Sequence, residues 1–74
     1  MTIDNKIKKL QESFELRAEI ADMAWEIDRL IEIEQAYVDA EEYEKASIVL
    51  ARQKRLNRII KNREKKLKQY DDTF

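Results

Sequence analysis

The sequence predicts an all-α protein, an antiparallel two-helix hairpin of the coiled-coil kind, and three observations predict it. Glycine and proline are absent, although 43% of the residues are hydrophobic and 42% charged; that is the composition of long helices rather than of a disordered tail. Apolar residues recur at steps of three and four along two stretches, the spacing that keeps a stripe in line on a helix. The phase of that spacing breaks once, around residues 38–42, where a chain folding back on itself would turn. With 74 residues this is one domain, residues 1–74, near the size at which a single core is only marginally stabilising. A second chain or a partner is therefore expected to add to it.

The first helix is expected over about residues 3–38, with Thr2 or Asp4 as its N-cap. Ile3, Ile7, Leu10 and Phe14 follow a four, three, four spacing, and Ala18, Ala21 and Trp25 continue that side. A second stripe, Leu16, Ile20, Met23, Ile27, Leu30 and Tyr37, lies nearly opposite. One antiparallel neighbour covers one face, so the second face calls for a helix from another copy or from a partner protein. Met23, Trp25, Ile27, Leu30 and Tyr37 are the residues expected to contact it. The competing readings are that Trp25 and Met23 are core and that the helix curves or stays partly exposed.

At residues 38–43 the sequence reads as a helix start. Asp39 would be the N-cap and Glu42 the third helical position, with Val38 and Tyr43 as a hydrophobic staple on either side. The apolar stripe through Leu30 and Tyr37 predicts apolar residues at 41 and 44 and meets Glu41 and Glu44. The turn is accordingly placed at about 38–42. A continuous helix of about 100 Å, at 1.5 Å per residue, is the rival, since a second phase runs through Ile31, Val38, Val49 and Leu56.

The second helix, about residues 42–70, has the seam Ala46, Val49, Gln53, Leu56, Ile60, Arg63, Leu67 and Tyr70. Gln53 and Arg63 interrupt it, and polar residues at seam positions commonly fix register at some cost in stability. The end, residues 71–74, is expected to fray.

Charge is strongly segmented along the chain. Residues 11–44 hold twelve acids against Arg17 and Arg29, whereas residues 51–68 hold nine Lys/Arg against Glu64, inside a chain of net charge −1. Arg52, Arg55 and Arg63 flank the second seam, where they could pair with Glu19, Asp22, Glu26 or Glu34 across the hairpin. Lys54, Arg58, Lys61, Lys65 and Lys68 recur at steps of four, three, four and three on the side away from the seam. An exposed stripe of one sign suits a polyanion or an acidic protein surface, though solvated helices also carry such stripes without a partner. Arg among the Lys, with Asn57 and Asn62, favours nucleic acid. The lack of an aromatic before Tyr70 and the net negative charge argue against a single-strand binder.

Catalysis is poorly provided for. His and Cys are absent, no glycine is present to build a phosphate-cradling loop, and hydroxyl nucleophiles are limited to Thr2, Ser13, Ser47, Thr73 and the tyrosines. Glu12, Glu15, Glu19, Asp22 and Glu26 march along a helix as a solvated or salt-bridged face rather than a metal or acid/base site. No enzyme activity, cofactor, metal or small-molecule substrate is expected. The absence of Cys fits a reducing compartment, and no apolar run approaches the roughly twenty residues that span a bilayer. A cytoplasmic, membrane-free protein is the expectation.

At residues 42–56 the chain resembles the start of the second helix of the UVR domain, a short helical hairpin of excision-repair subunits and some protease adaptors. Tyr43 stands for the aromatic, Lys45, Ala46 and Ser47 for the small packing residues, and Val49 and Leu56 for later apolar positions. Leu50 and Gln53 stand where that family usually has Arg and Ile, and a tetratricopeptide-like half repeat matches nearly as well. The resemblance implies a hairpin used for protein–protein docking in a repair complex. Two function classes follow: an accessory or adaptor protein docking through apolar helix faces, within a repair, recombination or replication complex, and a nucleic-acid-binding accessory protein using the stripe of the second helix.

Overall fold

The computed structural model describes residues 3–71, which form two helices, α1 (Ile3–Asp39) and α2 (Tyr43–Asp71). They pack antiparallel along a rod 58 × 14 × 13 Å in extent. Thirty-seven helical residues account for that length by themselves, at about 1.5 Å each, so the continuous helix is excluded. Thr2 and residues 72–74 lie outside the described residues. Asp71 closes α2, and Asp4 is not the cap but part of the first turn of α1, where an anionic group suits the positive end of the helix dipole.

The reversal is built without glycine. Glu42 N–H donates to the Tyr37 carbonyl at 2.8 Å, Glu41 N–H to Val38 at 3.0 Å and Ala40 N–H to Ala36 at 3.1 Å. The first two bonds form a Schellman closure, which needs a left-handed residue just past the helix. Glu41 takes that conformation at φ 60°, a place where a side chain costs about 1–2 kcal/mol.

Glu42 also starts α2, because its carbonyl accepts the first intrahelical bond, from Ala46 N–H at 3.1 Å. The expected capping box is therefore corrected. Asp39 ends α1, accepting a hydrogen bond from Gln35 Nε2 at 2.9 Å, and does not cap α2. With the cap at Glu42, Val38 and Tyr43 no longer hold the staple positions on either side of it, and both are exposed. A single residue, Glu42, belongs to the closure of one helix and the opening of the next, which displaces the α2 start three residues beyond the sequence motif.

The seam on α1 is the stripe from Leu16 to Tyr37, and on α2 the stripe from Ala46 to Tyr70; each of their residues is buried or half-buried. Two polar positions extend the α1 stripe unannounced, Ser13, which is buried, and Glu34, which is half-buried. From Ser13 to Tyr37 the steps then alternate three and four without a break, the heptad pattern of a left-handed coiled coil. Gln53 is buried in the seam and donates from Nε2 to Glu34 Oε1 at 2.9 Å. Slipping the helices by a heptad would strand that amide, at a cost of about 1–3 kcal/mol.

The core is thin. Its buried apolar members are Leu16, Ile27, Ala46 and Leu56, and among the described residues no large side chain is completely enclosed.

Candidate interaction faces

Along one flank of the seam α1 presents Glu12, Glu19 and Glu26, one per heptad. Tyr70 Oη donates to Glu12 Oε2 at 2.6 Å, and Arg52 Nη2 donates to Glu26 Oε1 at 2.8 Å. Arg63 Nε lies 3.3 Å from Glu19 Oε2, yet its N–H is not aimed at the carboxylate and makes no hydrogen bond. That contact is Coulombic only. The two ion pairs are about half exposed, so each is worth at most about 1 kcal/mol. They and Tyr70 realise the expected closure of acidic α1 on basic α2, but Arg55 takes no part among the described residues. Glu12, by accepting the bond, holds the Tyr70 phenol above its usual pKa, because ionisation would lose the donated proton and place phenolate beside carboxylate.

The outward side of α2 carries the cationic stripe. Lys54, Arg58, Lys61, Lys65 and Lys68 are all exposed, and none is in an ion pair among the described residues. Arg58, Lys61, Lys65 and Lys68 line a shallow furrow with Asn62 and Glu64. A furrow along one helix is open on three sides and encloses nothing. Asn57 is likewise exposed.

The outward side of α1 is apolar instead. Ile3 is 77% exposed, Phe14 66% and Trp25 68%, with Ile7 and Leu10 also exposed. Ala18 and Ala21 lie open between them. Arg29 sits over the Trp25 ring, 5.4 Å from its centroid, which holds the indole by a cation–π contact without covering it.

The five residues expected to meet a partner helix divide. Ile27 is buried against α2, so its helical partner is within the chain, and Tyr37 is half-buried near the turn with the Lys45 ammonium 5.8 Å from its ring centroid. Met23, Trp25 and Leu30 do converge, on a shallow depression completed by Asp22, Glu26, Arg29 and Ile33. Trp25 is the one member on the outward stripe. The sequence reading had both stripes but assigned most contact residues to the one that α2 covers. Phe14, Ile3, Ile7 and Leu10 are the larger exposed set, and their four, three, four spacing was the signal for it.

Among the described residues no three acidic groups gather as metal ligands, and no helix is long and apolar enough to cross a membrane. No protein-family model matches the chain, and no curated protein or solved structure matches it.

Proposed function

We propose that the chain is a small non-enzymatic accessory protein that docks on protein through the outward apolar face of α1. The observation that carries this reading is Phe14 and Trp25, each about two-thirds exposed on one helix face. Apolar groups that large and that aligned mark an interaction surface, and aromatic residues are enriched among the anchors of interfaces. The UVR-like residues 42–56 agree with a docking hairpin, within a repair, recombination or replication complex. The test is a photoreactive phenylalanine analogue at position 14, irradiated in cells. A discrete adduct, lost when Trp25→Glu is added and absent when the analogue replaces Lys54, is the expected result. No adduct, or equal adducts at both positions, ends the reading.

A second reading has its own observation. Five exposed cations on one helix face, without ion-pair partners among the described residues, suit the phosphates of a nucleic acid, and the furrow beside Asn62 follows the stripe. Such binding would be modest and salt-sensitive, and the accessory role would then be at the nucleic acid itself. An electrophoretic shift titration with single- and double-stranded DNA at two salt concentrations separates the readings: no shift at low salt removes this one and leaves the first untouched.

A further inference from the structure

The outward stripe of α1 is centred on one of its own residues, whereas the seam, in alternating steps of three and four, has its midpoint between two. Its steps from Ile3 to Trp25 run four, three, four, four, three, four, which reads the same from either end with Phe14 at the centre. Laid antiparallel on a second copy of itself about a two-fold axis at Phe14, the stripe places Ile7 opposite Ala21 and Leu10 opposite Ala18. Ile3 then meets Trp25. Large side chains therefore fall opposite alanines twice on each side of the axis, and the ends are closed by the bulkiest residue against an isoleucine. A two-fold interface requires this self-complementarity, since the same patch serves both copies.

Charge selects the same direction. Residues 3–10 carry Lys6, Lys8 and Lys9 against Asp4, while residues 18–26 carry Glu19, Asp22 and Glu26 and no base; Glu19 and Glu26 already face Arg63 and Arg52 of α2, so Asp22 is the acid that end offers to a second copy. An antiparallel arrangement sets the basic end of each copy beside the acidic end of the other, twice, whereas a parallel one stacks like on like. Lys8 and Asp22 lie on the same flank of the stripe by helical projection, and a two-fold axis brings the same flanks together. Asp22 makes no ion pair among the described residues.

The area suffices. At two-thirds exposure Phe14 and Trp25 offer about 100–150 Å² each, so the four aromatics of two copies supply roughly 500 Å². Ile3, Ile7 and Leu10 from each copy carry the total past about 1,000 Å², the level a specific interface needs. The steps of eleven from Ile3 to Phe14 and from Phe14 to Trp25 correspond to about 3.67 residues per turn, which gives nearly straight to right-handed packing, unlike the left-handed seam with α2.

We infer that α1 docks on α1 of a second copy of this chain in antiparallel two-fold register centred on Phe14, giving a row of four helices with α2 and its cationic stripe on each outer edge. This rests on the docking reading above and names its occupant. The chain has no Cys, so single substitutions give single thiols. Sedimentation of the full chain at about 100 µM, well above a micromolar Kd, is expected to give twice the monomer mass. Under mild oxidation Phe14→Cys is expected to link to itself. Ile3→Cys and Trp25→Cys are expected to link to each other when mixed but not to themselves, since like positions would lie about 33 Å apart; this pair leaves Phe14 in place should its loss weaken the dimer. A monomer at that concentration overturns the inference, as do self-linked Trp25→Cys or a Lys54→Cys control that links as readily as Phe14→Cys. A monomer whose position-14 photoadduct has another protein's mass overturns it while leaving the docking reading standing. A monomer that forms no photoadduct but sediments with anionic vesicles overturns both.

Discussion

The two apolar faces of α1 contain the same kinds of residue, yet one is covered and the other is open. The covered face, from Ser13 to Tyr37, keeps a strict heptad and meets a helix with the same heptad; the open face, from Ile3 to Trp25, advances by elevens. A single left-handed hairpin can follow the first period and not the second. Hydrophobicity therefore does not choose the face that folds. The match of period and length with α2 does, and the polar seam contacts, Gln53 with Glu34 and Tyr70 with Glu12, fix the register of that match.

The largest effect should come from the covered face. Leu56→Ala empties a buried position and should cost about 3 kcal/mol, most of the stability a core this thin can supply. Circular dichroism should show the variant largely unfolded in dilute solution. Phe14→Ala, by contrast, should keep full helicity when dilute and lose only the dependence of Tm on protein concentration, because it removes association rather than the hairpin. If Phe14→Ala unfolds the dilute protein, the open face supports the fold and the comparison fails.

The turn sharpens the contrast between what a sequence motif promises and what the backbone does. Glu41→Gly should stabilise by about 1 kcal/mol, since glycine takes the left-handed conformation without its steric cost. Asp39→Ala should change stability by less than about 0.5 kcal/mol, where a true N-cap would cost about 1. Urea denaturation of both variants reads the two values; a clear loss for Asp39→Ala would return the cap to Asp39.

At the open end the link between the helices is titratable. Tyr70 has its folded pKa raised by the bond it donates to Glu12, so the stability it contributes is present below its unfolded value near 10 and is lost as pH rises through the higher folded value. Tyr70→Phe should lower Tm at pH 8 and remove that share of the alkaline decline. In the 295 nm titration it should delete the step raised above the usual tyrosine value. An unchanged alkaline profile would mean that the ends of the hairpin are not held by this bond.

The seams were legible in the sequence because period and burial coincide: every apolar residue of the stripes from Leu16 to Tyr37 and from Ala46 to Tyr70 is at least half-buried. Ser13 and Glu34 were not, since a polar residue at a seam position looks like a surface residue until its partner is known. The turn was located within a few residues, but its chemistry was misread. Asp39 followed by Glu42 has the form of a capping box, and nothing local reveals that Glu41 will adopt a positive φ and move the cap onward. Which stripe α2 covers was not legible for a similar reason: two apolar stripes on one helix are equivalent in sequence, and only α2 distinguishes them.

The smallest effect on folding should come from the outward face of α2, the cationic counterpart of the open apolar face. Lys54, Arg58, Lys61 and Lys65 touch no acidic partner among the described residues, and Lys54 with Arg58 and Lys61 with Lys65 are like-charge neighbours one turn apart, a spacing that costs a few tenths of a kcal/mol per pair. Replacing all four with Gln should therefore leave Tm unchanged or slightly raised at low salt. Arg52→Ala and Arg63→Ala, which break the pairs with Glu26 and Glu19, should lower stability by up to about 1 kcal/mol. If the stripe meets phosphates, the quadruple variant should also lose polyanion affinity, with the slope of log affinity against log salt shallower by roughly 0.7–0.9 for each phosphate contact removed. Melting and binding must be read on the same variant, because the two faces of α2 predict opposite results. A fall in Tm with binding unchanged would make the stripe a long-range balance to the acidic flank of α1, and the division of α2 into a folding face and a binding face would be lost.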